Sequence, residues 1–111
     1  MKLPNADRVQ IDERKVRGYL LSPNHPVGRF KTRVFAALGF GEGAAAPFMA
    51  ELRRIAAAGE VAEVEDTAFG RKYTFPGDLT GPAGSARVLT VWIQEPGQED
   101  VRLVTVRPRW P

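Results

Sequence analysis

The hydrophobic pattern of this chain changes its period at Gly59, and this change determines the expected fold class. Before Gly59, apolar residues recur three or four positions apart, which is typical of helices that bury one face. After Gly59, apolar and polar residues alternate or form short β-branched runs, which is typical of strands. The sequence therefore predicts an α+β fold, with about three N-terminal helices packed on a four-stranded antiparallel β-meander. With 111 residues, we expect one domain over residues 1–111.

Turn and capping residues set the expected boundaries of the helices. The expected ranges are residues 12–21, 27–38 and 46–58. Asp12 is the expected N-cap of the first helix, and Pro23 and Pro26 lie beyond its end. Gly39 is expected to stop the second helix. Pro47 suits the first turn of the third helix.

Four strands are expected in the second half, over residues 61–66, 71–79, 86–94 and 101–107. The first is a polar edge strand, and the third, with the run RVLTVWI, is the most apolar and should be central. Pro76 and Gly77 predict a bulge or an early end of the second strand. The segment Gly81–Gly84 predicts a tight hairpin rather than a phosphate-binding loop, because it lacks the lysine and hydroxyl of such loops.

Alternation along a strand predicts which side chains share a face of the sheet. Thr90 and Trp92 should share one face, where Trp92 fits a core residue better than a platform for a nucleic-acid base. In the last strand, strict alternation separates two sets: Arg102, Val104 and Val106 on one face, and Leu103, Thr105 and Arg107 on the other.

Composition excludes several classes of function. The chain has no cysteine, which excludes a disulfide scaffold, a thiolate zinc site and cysteine nucleophiles. Its single histidine excludes a multi-histidine metal site, and no carboxylate pair or metalloprotease motif is present. We therefore expect neither a metal nor a cofactor. No apolar run is long enough to span a membrane and no signal peptide is recognisable, so we expect a cytoplasmic protein without membrane contact.

The charges are unevenly distributed. The net charge is +3, yet residues 8–33 hold seven basic and two acidic residues, whereas residues 42–66 hold two basic and six acidic residues. If the basic regions fold to one side, they form a cleft that attracts an anionic polymer such as RNA. An ordinary solvated surface is the alternative.

The segment from His25 to Lys31, with the sequence HPVGRFK, is the densest candidate site. It places the only histidine, Arg29 and Lys31 where a helix begins, and a helix N-terminus favours anions. His25 could act as an acid or a base near neutral pH. The alternative is that His25 caps or packs against the helix and that the two cations only solvate it.

Two strand residues complete the candidate set. Tyr73 follows Arg71 and Lys72, a pattern in which an aromatic ring holds a base and a cation holds a phosphate. Thr105 could line a cleft on the sheet face. Tyr73 could equally be a half-buried strand residue.

Six motifs give the chain a family resemblance: Lys2–Asp7, His25–Lys31, Gly70–Tyr73, Thr80–Gly84, Val88–Ile93 and Leu103–Thr105. On these motifs the chain resembles a widespread family of small bacterial domains, some of which occur in toxin settings. The order of helices and strands is similar to that of the barnase–EndoU–colicin–RelE superfamily of metal-independent ribonucleases.

The basic segment, taken together with this similarity in the order of elements, predicts a metal-independent endoribonuclease that acts as a bacterial toxin, in a toxin–antitoxin or polymorphic toxin system. RNA would be its substrate, and a neutralising antitoxin or immunity protein would be a further partner. His25 would be the acid or base, Arg29 and Lys31 would hold phosphate, and Tyr73 and Thr105 would position RNA. Two alternatives remain: a non-catalytic protein-binding module, such as an antitoxin, immunity or accessory domain, and an RNA-binding protein without cleavage.

Overall fold

The computed structural model describes residues 1–22 and 29–109. In these ranges, three helices precede a four-stranded antiparallel sheet, which confirms the predicted α+β order. The helices are α1 (Glu13–Lys15, continued by a π-helical segment Val16–Leu20), α2 (Arg29–Ala37) and α3 (Ala45–Ala58). The strands are β1 (Glu63–Thr67), β2 (Gly70–Gly81), β3 (Gly84–Gln94) and β4 (Arg102–Pro108), and a 3₁₀ turn covers Ala6–Arg8. Within the described ranges, none of the helices has the length and apolar character needed to span a bilayer.

The helix boundaries follow the capping residues that the sequence offers. The Asp12 carboxylate accepts a hydrogen bond from the Arg14 amide at 2.9 Å, which satisfies one of the free amides at the start of α1. At the end of α2, Gly39 adopts a φ of 101°. A Cβ atom on Gly39 would lie 2.5 Å from the Pro82 side chain in the β2–β3 hairpin. Glycine therefore permits both the left-handed turn and the close approach of α2 to the hairpin.

The sheet has the strand order β1-β2-β3-β4, and one of its faces packs against the helices. The buried residues of this face are Tyr73, Phe75, Leu79, Val88, Thr90, Trp92, Leu103 and Val106. Phe75 stacks on Trp92 with ring centroids 6.4 Å apart. The buried hydroxyl of Thr90 donates to the Phe75 carbonyl at 2.8 Å, so this polar group is satisfied within the core. As predicted, Thr90 and Trp92 share the core face.

The expected bulge or early end at Pro76 is wrong. Strand β2 pairs with β3 without a register shift up to Gly81, and Pro76 lies opposite Leu89. The backbone N–H and C=O groups of successive strand residues point to opposite neighbouring strands. The backbone of Pro76 therefore points to the same side as that of Thr74, whose carbonyl accepts a hydrogen bond from the Ala62 amide. Because β1 begins opposite Thr74, the missing N–H of Pro76 points to a side where no strand follows.

The predicted division of the β4 side chains between the two faces is also wrong. The register shifts at one point, where Val91 pairs with Thr105 but Trp92 pairs with Leu103, so Val104 is an extra residue without a partner on β3. This β-bulge breaks the alternation. As a result Leu103 and Val106 both pair with core-facing residues, whereas the sequence had separated them.

Candidate functional site

The bulge in β4 brings together three polar side chains from distant parts of the chain. Lys31, near the start of α2, donates from Nζ to the Thr105 hydroxyl at 3.0 Å. Lys15, in α1, donates from Nζ to the carbonyl of Val104, the extra residue of the bulge. Bulges commonly redirect side chains and backbone groups in this way. We refer to Lys15, Lys31 and Thr105 as the β4 cluster.

The position of the two lysines follows from how the edge of β4 is covered. Gln10 pairs with the beginning of β4: its amide donates to the Val101 carbonyl and its carbonyl accepts the Leu103 amide, both at 2.9 Å. Beyond this bridge, Lys15 and Lys31 reach the strand. Tyr19 is half-buried and lies one helical turn after Lys15, and the Lys31 ammonium is 5.2 Å from its ring centroid. This distance is within the range of a cation–π contact, which limits the positions that Lys31 can adopt.

The electrostatic environment acts most strongly on Lys15. Its pKa is lowered from the ordinary lysine value, first by burial, then by the positive charges of Arg102 and Lys31, while Asp12 acts in the opposite direction. Arg102 itself forms an ion pair with Glu95 at 2.6 Å. A lysine with a lowered pKa is more often neutral, and a neutral amine can accept a proton.

Two concave surfaces border the β4 cluster. The larger is a groove of about 1100 Å³ on the sheet face away from the helices, and Thr105, Val104 and Arg107 line one side of it. The smaller is a cavity of about 410 Å³ between β4 and the segment before α1, and Lys15 lines it. A chain molecule that crosses the cluster could therefore contact both surfaces.

The groove carries opposite charges on its two sides. On the β4 side, Arg107 and Arg109 form no ion pair within the described part of the chain. On the β1 side, Glu63 and Glu65 line the groove, and Glu65 pairs with Lys72 at 3.2 Å. Positive charge is thus concentrated near β4, and the groove as a whole is not uniformly basic.

The structure brings together only part of the predicted set of site residues. Lys31 and Thr105 are in direct contact, as described above. Arg29 is the first residue of α2, two positions before Lys31. His25 lies outside the described residues. Tyr73 is 2% exposed on the core face of β2, so it has no accessible ring face for a base and does not belong to the site.

Lys15 and Tyr19 were missed by the sequence analysis. The available signal was weak: the two residues lie four positions apart, on one side of a helix, within the basic segment. Their relevance depends on the bulge at Val104, which the sequence pattern does not reveal. Across residues 1–22 and 29–109, no three histidine, cysteine or carboxylate groups are close enough to hold a metal ion.

One comparison with known proteins gives a match. The family model described as "Domain of unknown function (DUF6883)" matches residues 2–109. No curated protein and no solved structure shows significant similarity to the chain. The chain belongs to the DUF6883 family.

Proposed function

We propose that this member of the DUF6883 family is a metal-independent endoribonuclease and that it cleaves RNA at the β4 cluster. The observation that carries the proposal is the convergence of two lysine amino groups on two consecutive residues of β4: Lys31 donates to the Thr105 hydroxyl, and Lys15 donates to the Val104 carbonyl. Such a group of donors suits a phosphodiester, whose reaction develops negative charge. The resemblance to metal-independent ribonucleases that the sequence suggested also favours it.

The proposed reaction uses a nucleophile that RNA itself supplies. The 2′-oxygen forms a bond to the adjacent phosphorus, the bond from phosphorus to the 5′-oxygen of the next nucleotide breaks, and a 2′,3′-cyclic phosphate remains. One proton leaves the 2′-hydroxyl and one proton is delivered to the 5′-oxygen. A protein that supplies a base, an acid and positive charge therefore completes the reaction without a metal.

Lys15 fits the role of the base. In its neutral form it keeps two N–H bonds, so it can donate to the Val104 carbonyl while its lone pair accepts the proton of the 2′-hydroxyl. Its lowered pKa increases the neutral population near neutral pH. Lys31 stabilises the negative charge on the phosphorane, and its contacts with Thr105 and Tyr19 fix its position. His25, the acid or base expected from the sequence, supplies the proton for the 5′-oxygen.

The test is cleavage of a labelled RNA by the purified protein in EDTA, with the chemistry of the new ends as a second readout. Lys15→Met and Lys31→Met are each expected to lower the rate by roughly 10²- to 10³-fold, the usual effect of losing an acid, a base or a charge-stabilising donor. Arg33→Met removes an exposed cation of α2 that lies two positions from Lys31, on a different side of the helix, and is the matched control, with a rate within about twofold of wild type. Products with 2′,3′-cyclic phosphate ends are expected.

Arginine substitutions separate the two lysine roles. Arginine keeps the positive charge but stays protonated, so Lys15→Arg should be as inactive as Lys15→Met, whereas Lys31→Arg should retain part of the activity. Equal activity of Lys15→Arg and wild type would remove Lys15 from the role of base. Absence of RNA cleavage by the folded wild-type protein would refute the ribonuclease proposal.

The exposed edge of β1 favours a second candidate function, the binding of a protein partner. The large hydrophobic residues that are most exposed in the described part of the chain are Met1, Val64 and Phe69. All three lie along this edge. Val64 is in β1, Phe69 is in the β1–β2 turn, and the Met1 carbonyl accepts a hydrogen bond from the amide of Val61, just before β1. An exposed strand edge can pair with a strand of a partner. A neutralising antitoxin or immunity protein would be such a partner.

Growth on induced expression discriminates between the two functions. A ribonuclease toxin should slow growth when expressed alone, and Lys31→Met should relieve this effect. A protein-binding module should be tolerated at high expression and should leave RNA intact in EDTA.

A further inference from the structure

The smaller cavity next to Lys15 combines groups that are suited to reading the edge of a base. Six residues line its volume of about 410 Å³: Gln10, Ile11, Asp12, Lys15, Arg102 and Leu103. Ile11 and Leu103 provide apolar walls, and the other four provide hydrogen-bonding groups. Most ligand pockets of this size likewise combine apolar walls with a few polar groups that determine orientation.

The walls of the cavity are held in place by backbone contacts. Gln10 forms a parallel bridge with Arg102, with two backbone hydrogen bonds of 2.9 Å to the flanking residues of β4. Asp12 is fixed by its role as the N-cap of α1, where Oδ1 accepts the Arg14 amide. A cavity with such walls exists before a ligand arrives, which reduces the entropy lost on binding.

Asp12 and Arg102 retain hydrogen-bonding capacity toward the cavity. Among the described residues, the hydrogen bond of Arg102 to Glu95 uses Nε, so the terminal Nη groups remain. The hydrogen bond of Asp12 to Arg14 uses Oδ1, and Oδ2 remains an acceptor. The lining of the cavity thus includes a carboxylate acceptor and a planar set of guanidinium donors.

We propose that this cavity binds a guanine base of the RNA, so that the enzyme cleaves on the 3′ side of guanosine. This inference rests on the proposed ribonuclease function. Guanine carries two adjacent donors, N1–H and N2–H, which match a carboxylate, and two adjacent acceptors, O6 and N7, which match a guanidinium group. Adenine, uracil and cytosine each lack this combination of two adjacent donors and two adjacent acceptors. Each of them would therefore leave the carboxylate or the guanidinium group without a full set of hydrogen-bond partners.

The location of Lys15 connects base recognition to cleavage. Lys15 lines the cavity and also belongs to the β4 cluster, where its Nζ contacts the Val104 carbonyl. A guanosine whose base occupies the cavity therefore brings its own ribose and 3′-phosphate towards Lys15 and Lys31. The two sites together define the bond that is cleaved.

The cleavage test uses an RNA that contains all four bases in varied context, and the new 5′-hydroxyl ends are mapped by sequencing. A bidentate contact to a base discriminates by roughly tenfold or more, so cleavage after guanosine should exceed cleavage after the other nucleotides by at least that factor. Asp12→Asn keeps an N-cap residue but presents an amide, and it should abolish the guanosine preference. Glu13→Gln removes an equal charge from the next position, outside the lining of the cavity, and should retain the preference.

A binding measurement keeps this inference separate from the proposed function. Guanosine 3′-monophosphate should bind the wild-type protein roughly tenfold or more tightly than adenosine 3′-monophosphate, and Asp12→Asn should remove this difference. Cleavage without base preference would overturn the guanine site and leave the ribonuclease proposal standing. Selective guanosine 3′-monophosphate binding by a protein that cleaves no RNA would overturn the ribonuclease proposal and leave the base site standing.

Discussion

Replacing Glu51 by alanine is expected to lower the free energy of unfolding by about 2 kcal/mol at pH 7, because Glu51 ties α3 to the β2–β3 hairpin. Its carboxylate accepts two hydrogen bonds from Arg54, at 2.6 and 3.0 Å, and one from the Thr80 amide at 2.8 Å. Arg54 in turn donates to the Asp78 carbonyl at 2.6 Å. The loss of Glu51 therefore affects both ends of this connection.

The magnitude follows from the exposure of the groups. The Glu51 side chain is 15% exposed but that of Arg54 is 51% exposed, so the ion pair itself contributes only about 0.5 kcal/mol. The hydrogen bond from the Thr80 amide to a largely buried carboxylate contributes about 1.5 kcal/mol, the lower limit for a bond to a charged group. For a domain of this size, the sum corresponds to a decrease of the melting temperature by about 8 °C.

The contribution of Glu51 should depend on pH in a defined direction. The pKa of Glu51 is lowered, first by the hydrogen bonds from Arg54, with a further contribution from the Thr80 amide. A carboxylate with a lowered pKa in the folded state stabilises the protein fully above its unfolded pKa, which is about 4.3, and the stabilisation is lost as the pH falls through the folded-state pKa. The difference between wild type and Glu51→Ala should therefore decrease below about pH 4.

Urea denaturation at pH 7 and at about pH 3 measures this prediction, with Glu42→Gln as the control. Glu42 is exposed in the loop before α3, and its substitution should change stability by less than about 0.5 kcal/mol. The reasoning is refuted if Glu51→Ala is as stable as Glu42→Gln at pH 7, or if its deficit is the same at both pH values.

Three further predictions concern the core, the hairpin contact and the β4 cluster. Gly39→Ala should destabilise the protein by more than about 1 kcal/mol, because Gly39 has a positive φ and a Cβ atom there would collide with Pro82. The control Gly43→Ala has open space around it and should leave stability unchanged. Equal melting temperatures of the two variants would contradict this prediction. Thr90→Val should cost about 1 kcal/mol in urea denaturation, because the Phe75 carbonyl loses its buried donor, and an unchanged midpoint would contradict this. The side-chain NMR signals of Lys15 should titrate below the ordinary lysine value, Arg102→Gln should raise this pKa, and a pKa that does not respond would contradict the charge arrangement.

Local signals in the sequence were sufficient for the elements of the fold. Asp12 marks the start of α1, Gly39 ends α2, and the hairpin at Gly81–Gly84 forms where it was expected. These features depend on the backbone within a few residues, which the local sequence determines. Pro76 is the counterexample, because its tolerance depends on where the neighbouring strand β1 begins, and that is a tertiary fact.

The β4 cluster was only partly predictable for the same reason. Lys31 and Thr105 were selected separately, each for its chemistry, although they are 74 positions apart. Tyr73 was selected by the same kind of argument, yet it is buried, because a strand residue next to two cations can face either side of the sheet. The chemistry of a residue therefore identifies it as a candidate, but whether its side chain is accessible depends on which face of its strand or helix it occupies.

The bulge at Val104 links the error in the fold prediction to the missing part of the site. A regular β4 would hydrogen-bond along its length and keep Leu103, Thr105 and Arg107 on one face. The extra residue leaves the Val104 carbonyl for Lys15 and places Thr105 opposite Val91, on the face away from the core, within reach of Lys31. Bulges of this kind interrupt the hydrogen-bond ladder between two strands, and they are often found next to functional sites. The irregularity that broke the sequence pattern is thus the feature on which the proposed chemistry depends.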